Sequence, residues 1–484
     1  MTIRRKNIFL SVVSFLILIT GILFSYESVR FVTFLYGFLN LSLDVHFRSI
    51  GFYYAGTWMI ISSAILFLYL LKLNGYLNQN RFNFISCGLV FIHYFFHLSA
   101  IAVNYPIFDD QGVILDFLVR VKKATSIKET VGLMFMPYNE SIMVIPKLFA
   151  FVWFKIFGEM NFRHLVLFNG LLLVILHLII FLRYVKKWAP GFFIVTVFIF
   201  QFQFYDDAFW AISGLCYYGA FLFATGSISL LLKKERRKNL LAVALALLAT
   251  FTFGNGWVLF QLAFLFLIVE KKIGLLLPWV LAFIAAAVVF YSLKHRFHTV
   301  STAAWNPIDN FLFLLIFLGS SIQFFYLPFI PALGGVFVLS TFVFILFKRR
   351  HHVATFPFLV LAFIVFSAIT AAPMRSGLEP YGHYGMQVRY GIFSIVAFML
   401  CILFLAGEFE FFRRKIFILA GAAFAYNLLT GLFFYPEAVI REENILVITD
   451  RMNNNDFDIR YTTYEKNKVD HLFKEAIETG IYKP

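Results

Sequence analysis

The stretch NYPIFDDQGVILDFLVRVKKATSIKETVGLMFMPYNESIMVIPKLFAFVWFKIFG, residues 104–158, is the longest polar-bearing interval between two apolar runs of this chain. It opens with two adjacent carboxylates, Asp109 and Asp110, and continues into a basic amphipathic piece, residues 112–123. A Pro-Tyr-Asn-Glu turn then precedes a half-polar aromatic segment, which Gly158 is expected to end as a helix stop. Hydrophobic runs flank the stretch, so the sequence predicts a loop at a membrane surface that carries the chemistry.

The rest of the chain is too apolar for a soluble domain. Of its 484 residues, 61% are hydrophobic and 20% aromatic, whereas only 14% are charged. A helix needs about 20 apolar residues to cross a bilayer, and runs near that length recur from residue 8 to residue 435. The sequence predicts an all-α, polytopic transmembrane helical bundle of about 13 spans. The predicted bundle also has amphipathic juxtamembrane helices in its first large external loop and a short polar C-terminal tail.

Clusters of Lys and Arg in alternate loops orient these spans, because short cytoplasmic loops are enriched in them. If every cluster faces the cytoplasm, the polar loops, including 104–162, and the tail after residue 436 face outside. The spans then fall near 8–26, 53–72, 82–103, 163–182, 190–204, 212–232, 239–253, 256–270, 274–293, 329–347, 355–373, 390–407 and 416–435.

Two runs need separate treatment. Residues 8–26 follow basic residues as a signal peptide would, but Ser25-Tyr26-Glu27 is a poor cleavage site, so we expect a retained span. Residues 310–326 are apolar enough to cross, yet counting them would reverse the orientation of the following loop. We expect that segment to be re-entrant or interfacial.

The net charge of +15 would suggest nucleic acid in a soluble protein. Here the basic residues alternate between loops, so no nucleic-acid partner is predicted. The three cysteines, Cys87, Cys216 and Cys401, lie far apart inside apolar runs, which favours packing over a zinc site or a disulfide framework. No metal is predicted.

Asp109 and Asp110 are the first candidates for catalysis. Acidic residues readily cap helices, and a solvated helix end is the plainer interpretation. The functional interpretation is that one carboxylate acts as a general base, because partial burial raises its pKa toward the useful range. Further along the loop, Asn139, Glu140 and Lys147 can bind substrate, although ordinary interfacial packing also accounts for them.

The loop resembles that of a known superfamily. It looks like the first external loop of the GT-C membrane glycosyltransferases. The shared features are acidic residues at a span end, two juxtamembrane helices, a proline-plus-basic helix that ends in Phe157-Gly158, and a long series of spans after it. The resemblance covers most of residues 82–435 and implies that Asp109 or Asp110 is the catalytic acid residue. The family's loop follows the first span, whereas this one follows the third. Residues 1–81 are therefore predicted to be an added transmembrane hairpin, and Asp44 is a weaker alternative for the acid.

The resemblance also implies a second acidic site and a domain organisation. An acidic residue of the second external loop corresponds to Asp206 or Asp207, although a tight solvated turn explains the pair equally well. Two aspartate pairs can bind a divalent cation, but many family members work without metal, so no cofactor is predicted. Residues 82–435 would form the catalytic domain, and residues 436–484 a polar external tail that packs on the loops.

A late loop supplies candidate cations. Arg375 and Arg389 lie on the predicted external side, against the charge asymmetry, and guanidinium is suited to bidentate phosphate binding. Either arginine can instead be an anchor that extends to lipid headgroups. Tyr390 follows the second arginine at a span start, in a pattern also found in the family, and His383 lies between the two arginines as a weaker candidate.

Taken with these residues, the resemblance implies an inverting glycosyltransferase in a bacterial plasma membrane. It would transfer a sugar from a polyprenyl-phosphate donor to a glycan, lipid or protein acceptor on the external face, in contact with membrane lipids. A flippase or exporter of lipid-linked saccharides is the alternative from another class, but the span interiors carry few Asp, Glu, Lys or Arg residues. An O-antigen polymerase or ligase is a third hypothesis, although its large loop usually comes late.

Overall fold

A computed structural model describes the chain apart from residues 1–2, 31, 34–44, 140, 186–188, 294–305, 325–326, 379–384 and 454–465. Within the described residues the fold is helical and contains no β-strand, only two isolated bridges, Tyr138 with Ser141 and Met160 with Tyr482. The predicted all-α class is confirmed.

The described residues form a succession of α-helices. They are α1 Ile3–Tyr26, α2 Val45–Leu73, α3 Gln79–Ile101, α4 Phe117–Lys123, α5 Ile127–Met134, α6 Val144–Phe157, α7 Phe162–Ile180, α8 Ala189–Ile199, α9 Tyr205–Phe209, α10 Ala211–Leu231, α11 Arg236–Thr252, α12 Trp257–Val269, α13 Leu276–Ser292, α14 Pro307–Gly319, α15 Phe329–Lys348, α16 Phe356–Arg375, α17 Gly391–Glu408, α18 Glu410–Arg414, α19 Ile416–Asn453 and α20 Lys466–Glu478. The π-helical turn Gln111–Asp116 leads directly into α4.

Among the described residues, ten helical stretches are long and apolar enough to cross a membrane, which makes the chain a multi-pass membrane protein. They are Ile8–Tyr26, His46–Leu73, Gln79–Ile101, Phe162–Tyr184, Ala211–Leu231, Ile273–Ser292, Phe329–Lys348, Phe356–Leu378, Val388–Glu408 and Ile418–Met452.

The count of about 13 spans is not confirmed, because the predicted spans 190–204, 239–253 and 256–270 are not among the ten. Helix α8 has 11 residues and ends at Ile199. The amide of Asn427 donates to the carbonyls of Val197 and Phe200, 2.9 and 3.0 Å away, so side-chain bonds replace helical ones there. Helices α11 and α12 have 17 and 13 residues and are separated by a single turn at Gly254–Gly256.

The chain forms two compact units, each assembled from three separate segments. The first comprises Met1–Ile101, Val185–Tyr205 and Ile402–Asn444. Its helices α1 and α2 pack closely through small residues. Ser14 and Ser63 exchange hydrogen bonds, and a side chain on Gly21 would lie 2.9 Å from the carbonyl oxygen of Gly56. Small residues at such contacts allow two membrane helices to approach each other.

The second unit comprises Ala102–Tyr184, Asp206–Cys401 and Ile445–Pro484. It contains the loop 104–162 and most of the predicted site residues. The predicted division at residues 81 and 435 stays a prediction. Helix α19 continues past residue 435 to Asn453 with Pro436 inside it, so helical structure extends well into the predicted tail.

The end of the chain packs on the loop 104–162, as the sequence predicts. The Asn104 amide donates to the carbonyl of Lys483 over 2.6 Å, and the Tyr482 hydroxyl donates to the carbonyl of Asn104 over 2.8 Å. The Met160 N–H donates to the carbonyl of Ile481 over 2.7 Å. Helix α20 therefore has a fixed place beside α4.

The segment predicted to be re-entrant forms helix α14, whose 13 residues are too few to cross a bilayer. It ends at Gly319 and packs closely against α15. A methyl group added at Gly335 would lie 1.9 Å from the carbonyl oxygen of Leu315, well inside van der Waals contact. The absence of a side chain at Gly335 is therefore what allows the two helices to approach.

We predict that Gly335→Ala destabilises the protein by about 1–3 kcal/mol, because the added methyl forces α14 and α15 apart. Thermal unfolding of the purified protein in detergent measures the change. The matched control is Gly274→Ala, where nothing lies within 4 Å of the added methyl. Equal melting temperatures for the two variants would contradict this account of the contact.

Candidate functional site

The loop 104–162 folds into three short helices instead of the two that the sequence predicts. The piece 112–123, predicted as one helix at the membrane surface, begins as a π-helical turn and continues as α4. Its apolar side chains are buried in protein, namely Val113, Ile114, Leu115, Phe117, Leu118 and Val119. Helix α6 ends at Gly158, whose φ of 78° is left-handed, so the predicted helix stop is confirmed.

Sequence analysis missed helix α5, Ile127–Met134. Its start carries a capping box, in which the Ser126 hydroxyl accepts from the N–H of Glu129 and the Glu129 carboxylate accepts from the N–H of Thr125. This Ser-x-x-Glu pattern is visible in the sequence and could have located the helix.

The two carboxylates at the start of the loop occupy different environments. Phe108 precedes them with a φ of 46°, a left-handed conformation that a bulky residue rarely adopts. After this strained turn the side chain of Asp109 is partly exposed, whereas that of Asp110 is buried. The structure thus separates two residues that the sequence treats as equivalent.

Asp110 binds the first turn of helix α10. Its carboxylate accepts from the N–H of Ile212 over 2.7 Å and from the N–H of Ile107 over 3.2 Å. Burial raises the pKa of this carboxyl well above its usual range, while the backbone hydrogen bonds lower it. A carboxylate at a helix N-terminus satisfies N–H groups that have no helical partner. The role that this geometry supports for Asp110 is structural.

Asp109 faces an open space and accepts a hydrogen bond of 2.8 Å from the Tyr138 hydroxyl. Burial raises the pKa of the Asp109 carboxyl, whereas the Tyr138 hydrogen bond and the charges of Arg389 and Arg375 lower it. Tyr138 was not predicted as a site residue. It is held by a tight turn in which Tyr138 and Ser141 exchange backbone hydrogen bonds of 2.9 and 3.0 Å.

The second aspartate pair repeats this division. Asp207 is buried, and its carboxylate accepts a hydrogen bond of 2.7 Å from the hydroxyl of Ser213 in the first turn of α10. Asp206 is partly exposed. Burial raises the pKa of Asp207 well above its usual range, whereas the Ser213 bond and the charge of Arg389 lower it. Gly214 is required beside the pair, since a side chain there would lie 2.5 Å from the Asp207 carbonyl oxygen.

The start of α10 therefore gathers much of the predicted site. Asp110 accepts from the N–H of Ile212 and Asp207 from the hydroxyl of Ser213, both in the first turn of this helix. Arg389 acts on both Asp109 and Asp207. Predicted acids and predicted cations that lie up to 280 residues apart in sequence are thus brought into one neighbourhood by the fold.

The remaining predicted residues take other places. The ring of Tyr390 is buried against aromatic side chains, with Phe317 at 5.0 Å and Tyr217 at 6.1 Å between ring centroids. Asn139 lies in the turn after Tyr138 with a φ of 48°, which asparagine tolerates. Glu140, His383 and the alternative acid Asp44 lie outside the described residues.

A cavity of about 670 Å³ opens beside Asp109, and we call it the Asp109 cavity. Neither Arg375 nor Arg389 is among the described residues that line this cavity, whereas Lys147 is. Its lining contains Asp109, Gly112, Asp116, Phe117, Arg120, Leu133, Met136, Pro137, Tyr138, Asn139, Lys147, Lys468, Val469 and Leu472.

Lys147 is the buried cation of this cavity. Its ammonium donates to the carbonyls of Met136 and Leu133, 2.6 and 3.4 Å away, at the C-terminal end of α5. Burial lowers the pKa of Lys147 to about 8, although the charge of Asp116 raises it. Cations stabilise the exposed carbonyls at a helix C-terminus.

Comparison of the chain with protein-family models, with curated protein sequences and with solved structures finds no match. The site itself offers a partly exposed carboxylate, Asp109, that lines a cavity and whose pKa is lowered by the charges of two arginines.

We predict that Asp110→Ala lowers stability by about 1–3 kcal/mol, because it leaves the N–H groups of Ile107 and Ile212 buried without an acceptor. Asp109→Ala should cost much less, since the Tyr138 hydroxyl reaches the open cavity. Thermal unfolding of both variants in detergent measures the difference. The structural role of Asp110 would be contradicted if its alanine variant melted at the wild-type temperature.

Proposed function

We propose that this protein is an integral-membrane glycosyltransferase of GT-C type. It transfers a sugar from a polyprenyl-phosphate donor to an acceptor hydroxyl on the external face of a bacterial plasma membrane. The observation that carries the proposal is the position of Asp109, which lines a cavity large enough for a saccharide and whose pKa is lowered by the charges of Arg389 and Arg375. The resemblance of the loop 104–158 to GT-C proteins supports it.

In the proposed reaction the acceptor lies in the Asp109 cavity and the donor phosphate lies against the arginines. The Asp109 carboxylate takes the proton of the acceptor hydroxyl while the acceptor oxygen bonds to the anomeric carbon. The bond from that carbon to the phosphate oxygen breaks, and its electron pair leaves with the lipid phosphate. A single displacement of this kind inverts the anomeric configuration.

The groups around Asp109 suit this role. The raised pKa makes the carboxylate a stronger base, and the Tyr138 hydroxyl orients it. The lipid phosphate is already a good leaving group, so it needs charge stabilisation and not a strong proton donor. Planar guanidinium groups can supply that charge through paired hydrogen bonds. Asp110 is not assigned as a base, because its carboxylate is bound by backbone N–H groups.

A second candidate function is export of a lipid-linked saccharide. One observation in the first unit favours it, a polar network between membrane-spanning helices. The Thr57 hydroxyl contacts the Nε2 atoms of His93 and His97 at 3.0 and 2.9 Å, and the Tyr435 hydroxyl lies 2.7 Å from Nδ1 of His97. Ionisable side chains inside a membrane often mark a transport path. Saccharide export by the purified protein in vesicles, without glycosyl transfer, would favour this alternative.

We predict that Asp109→Asn lowers transfer at least about a hundredfold, because general-base catalysis contributes about 10²–10⁴ in rate. Sugar transfer from a polyprenyl-phosphate donor by the protein in native-like membranes measures it. The control is Asp309→Asn, which neutralises a carboxylate in the first turn of α14. Full transfer by Asp109→Asn would rule out the assignment of the base.

The same assay as a function of pH gives a finer check. A base acts only when deprotonated, so transfer should fall as pH drops through the pKa of Asp109, above the usual value of about 3.9. Tyr138→Phe removes a hydrogen bond that lowers this pKa. Its acid limb should therefore move to higher pH, and an unmoved limb would count against Asp109.

We predict that Arg375→Lys and Arg389→Lys each lower transfer at least about tenfold, because lysine keeps the charge but loses the planar fork. A charge-assisted hydrogen bond is worth about 1.5–3 kcal/mol. Donor affinity and turnover in membranes measure the loss, with Arg237→Lys at the start of α11 as control. Wild-type values for both lysine variants would show that these arginines only anchor helix ends.

A further inference from the structure

Among the described residues that line it, the Asp109 cavity has more positive than negative groups. Three cations line it, Arg120, Lys147 and Lys468, against the two carboxylates of Asp109 and Asp116. One of those carboxylates is already engaged, because Asp116 lies 2.9 Å from the guanidinium of Arg120. If Asp109 takes the proton of a bound hydroxyl, the remaining wall presents an excess of positive charge to the ligand.

Lys147 has hydrogen-bonding capacity left for that ligand. An ammonium group has three N–H donors, and the carbonyls of Met136 and Leu133 account for two of them. The side chain is only 3% exposed, yet it lines the cavity. A buried cation is costly unless it is paired, and an anionic ligand in the cavity would supply a charged partner for the third donor.

Apolar side chains form much of the remaining wall. Phe117, Leu133 and Met136 come from the loop, and Leu472 comes from helix α20. The Phe117 ring lies 5.8 Å from the Lys147 ammonium. Such a surface suits the apolar faces of a sugar ring or of a hydrophobic aglycone next to the charged groups.

Helix α20 contributes to the cavity in a fixed position. It provides Lys468, Val469 and Leu472. The hydrogen bonds of Tyr482 and Lys483 with Asn104, together with an ion pair between Lys123 and Glu475, hold this end of the chain against the loop. The C-terminal helix is thus part of the ligand site and not a separate appendage.

We propose that the Asp109 cavity binds an acceptor that carries an anionic group, a carboxylate or a phosphate monoester, and that Lys147, Arg120 and Lys468 bind this group. The acceptor hydroxyl then lies at Asp109. That this ligand is a sugar acceptor rests on the proposed transferase function, whereas binding of its anionic group by these three cations does not.

The test is equilibrium dialysis with the full chain in phosphatidylcholine nanodiscs. Three probes share one scaffold and differ at a single position: 4-nitrophenyl β-glucoside, its glucuronide and its 6-phosphate. We expect at least one of the two anionic probes to bind at least about tenfold more tightly than the neutral glucoside, which corresponds to about 1.4 kcal/mol. The glucuronide and phosphate arms distinguish the two sources of negative charge.

Two pairs of variants assign the preference to the cavity. Lys147→Met and Lys468→Gln should each reduce the preference to less than about threefold, since each removes a charged donor. Lys155→Met on α6 and Lys474→Gln on α20 remove a lysine from the same helices outside the cavity lining and should keep it. Lys468 is exposed, so its variant keeps the test valid if Lys147→Met unfolds.

Equal binding of the three probes by the wild type would overturn the proposal, as would a preference kept by both cavity variants. Failure of the transferase assignment gives a different result. In that case the preference and its loss in the variants would stand while no probe accepts sugar from a polyprenyl-phosphate donor.

Discussion

The hydrogen bonds of the Asp110 carboxylate join the start of the loop 104–162 to the first turn of helix α10. This contact fixes the backbone on which Asp109 lies, and Asp109 in turn faces the cavity. Asp207 lies at the same helix end through Ser213. At this helix N-terminus the N–H of Ile212 stabilises the Asp110 carboxylate and the Ser213 hydroxyl stabilises that of Asp207, and the helix dipole favours both negative charges. The two buried carboxylates leave one partly exposed acid of each pair, Asp109 and Asp206, for other roles.

This arrangement explains how much of the site the sequence could predict. The doublets of aspartate and the late arginines stand out because they interrupt apolar runs, and the fold gathers Asp109, Asp110, Asp207 and Arg389 at the start of α10. Which aspartate of a pair is buried could not be predicted. The decisive partner of Asp110 is the backbone N–H of Ile212, 102 residues away, and a backbone group leaves no trace in the sequence.

The same limit applies to the fold. Ten apolar runs long enough to span were identified from length and composition alone, since those are the properties that a bilayer selects. Three predicted runs are not among the ten: 239–253 and 256–270 are short in the sequence already, and the helix of 190–204 ends early, at Ile199. In helix α8 the shortening involves Asn427, a residue more than 200 positions away that takes the carbonyls of the last turn. Hydropathy reports how apolar a run is, but it does not report where a distant side chain ends its helix.

The polar end of the chain has a more specific role than its composition indicates. Its composition indicated only that it has no large core of its own, and packing on the loop followed from that. The contacts give it a more specific place, because Lys468 and Leu472 line the cavity together with residues of the loop. Because α20 supplies part of the lining, the loop and the end of the chain together give the cavity its charged and apolar sides. Among the lining residues that the structure describes, the balance of three cations and two carboxylates bears on which ligand the site accepts.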